Sequence, residues 1–238
     1  MIAAVIVAAG KGTRMGPNID KLFLPVAGRP VIAHTWECFD RFPAIGHIVV
    51  VVRDGMQNAF LEIAEQIRTT KPFTFAIGGA ERQDSVWNGL SALPRETTIV
   101  AIHDGARPCT SAETIRETLA AAAETGAAVA AQKITDTIKE STADGHIARS
   151  VDRSRLWSVQ TPQVFRVAVI RKALAEVAAR KLAITDDTAA CELIGQPVRL
   201  VESTAPNPKV TTRADLPLIE LLLTGKGSPL ADMISHPR

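Results

Sequence analysis

The sequence predicts an α/β fold, a doubly wound and mostly parallel sheet covered by helices on both faces, with a protruding β-hairpin arm. Three observations carry that prediction. Short, near-continuous apolar runs alternate with stretches of helical spacing through the first half of the 238 residues. A glycine-rich loop follows the first apolar run, where an open α/β sheet places its ligand. One polar segment with an internal turn signal breaks the alternation after Gln132.

Taken in order, residues 2–8, 48–52, 73–77, 99–102 and 127–131 read as strands, because strands buried on both faces show unbroken apolar character rather than alternation. Residues 31–42, 58–68, 85–93 and 112–124 read as helices, with Val86, Leu90 and Leu93 on one face. The resulting βαβαβ order implies a doubly wound sheet. Residues 136–152 are polar, and Asp144-Gly145 divides them into two short alternating stretches, so a hairpin arm is expected. Helices at 167–180 and 215–223 and a strand at 198–202 complete a single domain over 1–223. Residues 224–238, with their Gly, Ser and Pro, read as a flexible C-terminal tail.

Composition excludes several classes. The net charge of +2, the 4% aromatic content and the absence of Tyr argue against a nucleic-acid partner. No run approaches the roughly twenty apolar residues of a membrane span. The apolar opening MIAAVIVAAG has no Lys or Arg before it and Lys11 directly after it, which favours a buried strand over a secretory leader. Cys38, Cys109 and Cys191 form no CxxC pair and read as thiols of a reducing, cytoplasmic compartment. The five histidines show neither HxH nor HExxH spacing, so a zinc enzyme is not expected.

The first loop, Ala8-Ala9-Gly10-Lys11-Gly12-Thr13-Arg14-Met15-Gly16, brings backbone N–H groups close to an anion. Its GxGxxxG spacing matches neither the dinucleotide fingerprint nor the Walker A loop, which needs Gly-Lys-Ser/Thr. Fixed positive charge at Lys11, Arg14 and Lys21 suits a triphosphate and its transition state. Asp104 follows the strand at 99–102 and offers the carboxylate that a Mg²⁺ ion bridging phosphates would use. Taken alone it reads equally as a turn Asp. His103 reads as a packed or orienting residue. Arg153, Thr161, Thr185 and Lys209 each have an ordinary surface, turn or N-cap reading when taken singly.

In combination these segments resemble the 2-C-methyl-D-erythritol 4-phosphate cytidylyltransferase family. The resemblance runs through AAGKGTRMG, DKLFLPVAGRPV, GGAERQDSV, HDGARP, DTIK, VDRSRLW, QTPQVF, ITDD and KVTTRADL, in order from Ala8 to Leu223. It departs at Gly105, where Ala is usual. The resemblance implies a Rossmann-like fold with a dimerising arm, CTP and a polyol phosphate as substrates, and Mg²⁺ or another divalent cation such as Mn²⁺. Arg14 and Lys21 match the pair that stabilises the pentacoordinate α-phosphate. Ala8, Ala9, Gly10, Gly12, Gly79 and Ser85 match the CTP-binding positions. Arg107, Thr137, Arg153, Thr161, Thr185 and Lys209 match the surroundings of the sugar phosphate, and Asp104 matches the residue near the metal. The nearest alternative is a ribitol-5-phosphate or other polyol-phosphate cytidylyltransferase, whose first loop more often reads AGG than Ala8-Ala9-Gly10.

Overall fold

The computed structural model describes residues 1–10 and 20–225. Its strands and helices follow one another as β1 (Ile2–Val7), a small hairpin of β2 (Pro25–Val26) and β3 (Arg29–Pro30), α1 (Val31–Asp40), β4 (Ile45–Val52), α2 (Gln57–Ile67), β5 (Phe73–Ile77), α3 (Arg82–Ser91), β6 (Ile99–Asp104) and α4 (Ala112–Thr125). The second half continues with β7 (Ala127–Lys133), β8 (Ile138–Ser141), β9 (Ile147–Val151), β10 (Trp157–Arg166), α5 (Val167–Ala179), α6 (Asp187–Leu193), β11 (Arg199–Glu202) and α7 (Leu216–Thr224).

Seven strands form the main sheet in the order β11-β7-β10-β6-β1-β4-β5. β1 pairs in parallel with both β4 and β6, and β4 with β5. Ala3, Ala4, Val5 and Ile6 are wholly buried, which is the physical reason that β1 is apolar at every position. One core layer joins the sheet to α1, α2, α4 and Ile219 of α7; the other joins it to α3, α5 and α6.

The strand of the main sheet missing from the sequence prediction is β10. It runs antiparallel between β6 and β7, so the mostly parallel sheet has one reversed strand near its middle. Its centre, Gln160-Thr161-Pro162-Gln163, is polar and carries a proline, and both features argue against a central strand. The ladder to β7 shifts register between Val159 and Gln163, and this irregularity accommodates the proline within the strand. The predicted arm is present as β8 and β9, paired antiparallel from Ile138↔Val151 to Ser141↔Ile147 around the Asp144-Gly145 turn. Its side chains are largely exposed, and Ile147 is 69% exposed. The predicted tail beyond Gly225 lies outside the described residues.

Candidate active site

A cavity of about 690 Å³ opens at the carboxyl edge of β1 and β6. It is lined by the end of β1 (Ala8, Ala9, Gly10), by Lys21, by the loop into α3 (Gly79, Arg82, Ser85), by Asp104 and by Lys209. The parallel register sets Val7 beside Asp104 and therefore brings the first loop and the end of β6 together. A hydrogen bond of 3.0 Å from the Gly105 N–H to the Val7 carbonyl extends the pairing.

The wall made by the start of α3 is shaped by close approach. Ser85 Oγ accepts from the Gly79 N–H at 3.1 Å and donates to the Glu81 carbonyl at 3.1 Å. The Asp84 carboxylate accepts the Glu81 N–H at 3.0 Å. A Cβ on Gly79 would lie 2.2 Å from Asp84 Cβ, so only glycine permits this turn. α3 begins at Arg82, three residues earlier than the predicted helix, and this start turns the Arg82 side chain into the cavity.

Asp104 forms the floor and meets three cations. Lys209 Nζ lies 2.7 Å from Oδ2, Arg82 Nε 3.6 Å from Oδ1 and Arg107 Nε 3.6 Å from Oδ2. Burial acts to raise the Asp104 pKa, but Lys209, Arg82 and Arg107 outweigh it and hold the carboxyl well below the usual range. Arg82 also pairs with the wholly buried Asp187 at 2.9 Å, and Arg107 donates to the Asn207 carbonyl at 2.7 Å. Lys21 Nζ donates to the Val210 carbonyl at 2.8 Å, and the Val210 N–H donates to the Ala106 carbonyl at 2.8 Å. Lys21 and Lys209 thus face one cavity from opposite ends of the chain.

Beneath the floor, Thr161 Oγ1 accepts the Asp104 N–H at 3.1 Å and contacts His103 Nδ1 at 3.0 Å. His103 Nε2 lies 3.1 Å from the Arg107 carbonyl. Burial pushes the His103 pKa down to about 4, so the ring is neutral and orienting.

The residues named from the sequence therefore separate into groups. Ala8, Ala9, Gly10, Lys21, Gly79, Ser85, Asp104 and Lys209 line the cavity, while Arg107 and Thr161 support its floor. Thr185 is exposed and directly precedes Asp186, whose Oδ1 accepts the Ala189 N–H at 3.0 Å and caps α6. Thr137 and Arg153 meet each other at 3.4 Å at the base of the arm, and neither lines the cavity of its own chain. Gly12 and Arg14 lie outside the described residues. The sequence reading left out Arg82, Asp187 and Asn207; the Glu81-x-x-Asp84 spacing, which brings the helix start forward to Arg82, is the signal that would have found the first of them.

Two carboxylates line the cavity, Glu81 at its exposed rim and Asp104 on its floor. Among the described residues no group of three His, Cys, Asp or Glu side chains is placed to hold a metal ion. This donor set fits a hard cation that keeps its waters, binds chiefly to phosphate oxygens and takes one carboxylate from the protein.

Comparison with known proteins shows the family and the fold. The family model for 2-C-methyl-D-erythritol 4-phosphate cytidylyltransferase matches residues 2–225. A protein of that name from Pelotomaculum thermopropionicum is 41% identical over 232 residues, covering 97% of this chain and 98% of that protein. One from Synechococcus elongatus is 42% identical over 220 residues, covering 92% of this chain and 94% of its own length. Among solved structures, 4-diphosphocytidyl-2C-methyl-D-erythritol synthase from Anaerococcus prevotii superposes with a TM-score of 0.83 at 29% identity, covering 94% of this chain and 96% of that one. The 2-C-methyl-D-erythritol 4-phosphate cytidylyltransferase of Thermus thermophilus gives 0.75 at 31% identity, covering 94% and 100%.

Proposed function

The chain belongs to the 2-C-methyl-D-erythritol 4-phosphate cytidylyltransferase family, and we propose that it transfers CMP from CTP to 2-C-methyl-D-erythritol 4-phosphate. The products are 4-diphosphocytidyl-2-C-methyl-D-erythritol and pyrophosphate, in a step of non-mevalonate isoprenoid biosynthesis. The observation that carries this reading is the convergence of Lys21, Arg82 and Lys209 with glycine backbone around one cavity.

The chemistry needs no catalytic base. A phosphate monoester has a second pKa of about 6 and is largely a dianion at neutral pH. One of its oxygens forms the new bond to the α-phosphorus as the bond to the bridging oxygen of pyrophosphate breaks. The protein positions the two anions and neutralises the charge that builds up between them. Lys21 and Arg14 serve the α-phosphate. Lys209, held on Asp104, and Arg107 serve the sugar phosphate. The Gly10 and Gly79 backbone takes the nucleotide. Asp104 is the protein carboxylate that would hold a divalent cation, Mg²⁺ or Mn²⁺, and such a cation would supply further charge neutralisation at the phosphates.

The protein acts as a homodimer in the cytoplasm. The dimer is supported by the arm, because an exposed two-stranded hairpin is only marginally stable alone and gains a partner by pairing across a two-fold axis, and by Thr137 and Arg153 at its base, which do not line the cavity of their own chain.

The deciding experiment measures pyrophosphate release with CTP, UTP, GTP and ATP against a panel of polyol phosphates, with and without EDTA. Activity is expected with CTP and 2-C-methyl-D-erythritol 4-phosphate and is expected to vanish on chelation. Turnover of ribitol 5-phosphate in its place overturns the substrate assignment.

A further inference from the structure

Arg53 follows the last residue of β4 and touches two separate pieces of the cavity wall. Its Nη1 donates to the Gly10 carbonyl at 3.2 Å, and its Nη2 pairs with Asp20 Oδ2 at 2.5 Å. The other Asp20 oxygen accepts the Leu22 N–H at 3.1 Å, and the Asp20 carbonyl accepts the Phe23 N–H at 3.1 Å. Gly10 and Lys21 both line the cavity, and Lys21 is bonded directly to Asp20. One planar guanidinium therefore spans the backbone at the end of β1 and the carboxylate that sets the turn around Lys21. Its pair with Asp20 is partly shielded, with side-chain exposures of 26% and 19%, so solvent screens it less than a surface pair.

We infer that Arg53 is a positioning residue for nucleotidyl transfer, holding Gly10 and Lys21 at a fixed separation across the triphosphate end of the cavity. This inference rests on the cytidylyltransferase reading of the site. The fork geometry is essential to it, because a lysine ammonium is a point charge on a flexible stem and cannot hold a carbonyl and a carboxylate at one set angle. Arg53 itself does not line the cavity, so it acts through the residues it holds.

The test uses Arg53→Ala and Arg53→Lys in the full chain. Two readouts are followed: steady-state kinetics, and amide exchange at Leu22, whose N–H depends on the Asp20 carboxylate. Arg53→Ala is expected to lower kcat tenfold or more, with KM for the sugar phosphate changed less than twofold, and to speed Leu22 exchange at least tenfold. Arg53→Lys should fall between Arg53→Ala and the native protein in both readouts. Added guanidinium ion should restore part of the kcat of Arg53→Ala and none of that of Lys21→Ala. A kcat within twofold of the native value in Arg53→Ala overturns the inference, as does unchanged Leu22 exchange. The exchange readout needs no turnover. If the native protein releases no pyrophosphate from CTP, the functional reading fails while the clasp is still decided by Leu22.

Discussion

At the scale of single residues, the cations around the cavity separate by what they touch. Lys209 is held on Asp104 at 2.7 Å, whereas Lys21 is anchored on the Val210 carbonyl at 2.8 Å and is proposed to act on the α-phosphate. Groups that act where charge develops lower kcat when removed, and groups that bind the ground state raise KM. Lys21→Ala and Arg14→Ala are therefore expected to lower kcat by roughly a hundredfold or more, as for the loss of an oxyanion donor. Lys209→Ala should mainly raise KM for the sugar phosphate. Steady-state kinetics on the three variants check this division, and equal kcat losses in all three would remove it. The thiols give a separate prediction. Burial pushes Cys38 up to about 11 and Cys109 and Cys191 up to about 12, from an ordinary value of 9.0. A folded-state pKa above the unfolded one means that the folded chain holds its proton longer. The associated stability is full below pH 9 and is lost as the pH rises from there to the folded values. For the wholly buried Cys191 the loss is on the order of 2 kcal/mol near pH 10.5, at about 1.4 kcal/mol per pKa unit. Denaturant titrations of the native protein and Cys191→Ala at pH 8 and pH 10.5 should show a shallower decline in the variant.

At the scale of elements, what could be read from the sequence followed burial. β1, β4 and β6 are covered on both faces and announce themselves as apolar runs, and the segments at the carboxyl ends of β1 and β6 carry part of the cavity lining, Ala8–Gly10 and Asp104–Ala106. β10 was hidden because its polar residues are inside for a reason that no periodicity encodes. Gln163 donates to Asp186 at 2.8 Å and accepts the Asp187 N–H at 3.0 Å, tying the strand to the start of α6. Arg82 was hidden by a helix start placed three residues late, and Asn207 because its value lies in distant partners, Thr110 at 2.9 Å and the Thr161 carbonyl at 2.8 Å. The arm was legible as a hairpin, and its exposure gives the prediction at this scale. Lys21→Ala and Arg153→Ala, unfolded together and refolded as a mixture, should regain activity. In a shared-site dimer half of the pairs are mixed and each has one intact site, so about a quarter of all sites should work. No recovery would mean that each chain builds its own site.

At the scale of the whole molecule, the reversed strand decides when the sheet can close. β6 and β7 are neighbours in sequence but not in space, and each finds its missing partner only in β10. A fragment ending before Trp157 lacks β10 and β11, leaves β6 with an open edge and separates β7 from the rest of the sheet. Such a fragment is expected to lack a cooperative thermal transition by calorimetry, whereas the chain through residue 225 should show one. A sharp transition in the fragment would show that the β1–β6 half folds independently. On the ribosome the same topology imposes a wait. At about 5–20 residues per second, the roughly sixty residues between the ends of β6 and β10 take on the order of 3–12 s to synthesise. Through that interval the nascent chain carries an unpaired apolar strand edge beside the cavity wall. Chaperone dependence during translation should therefore fall abruptly once Arg166 has left the exit tunnel.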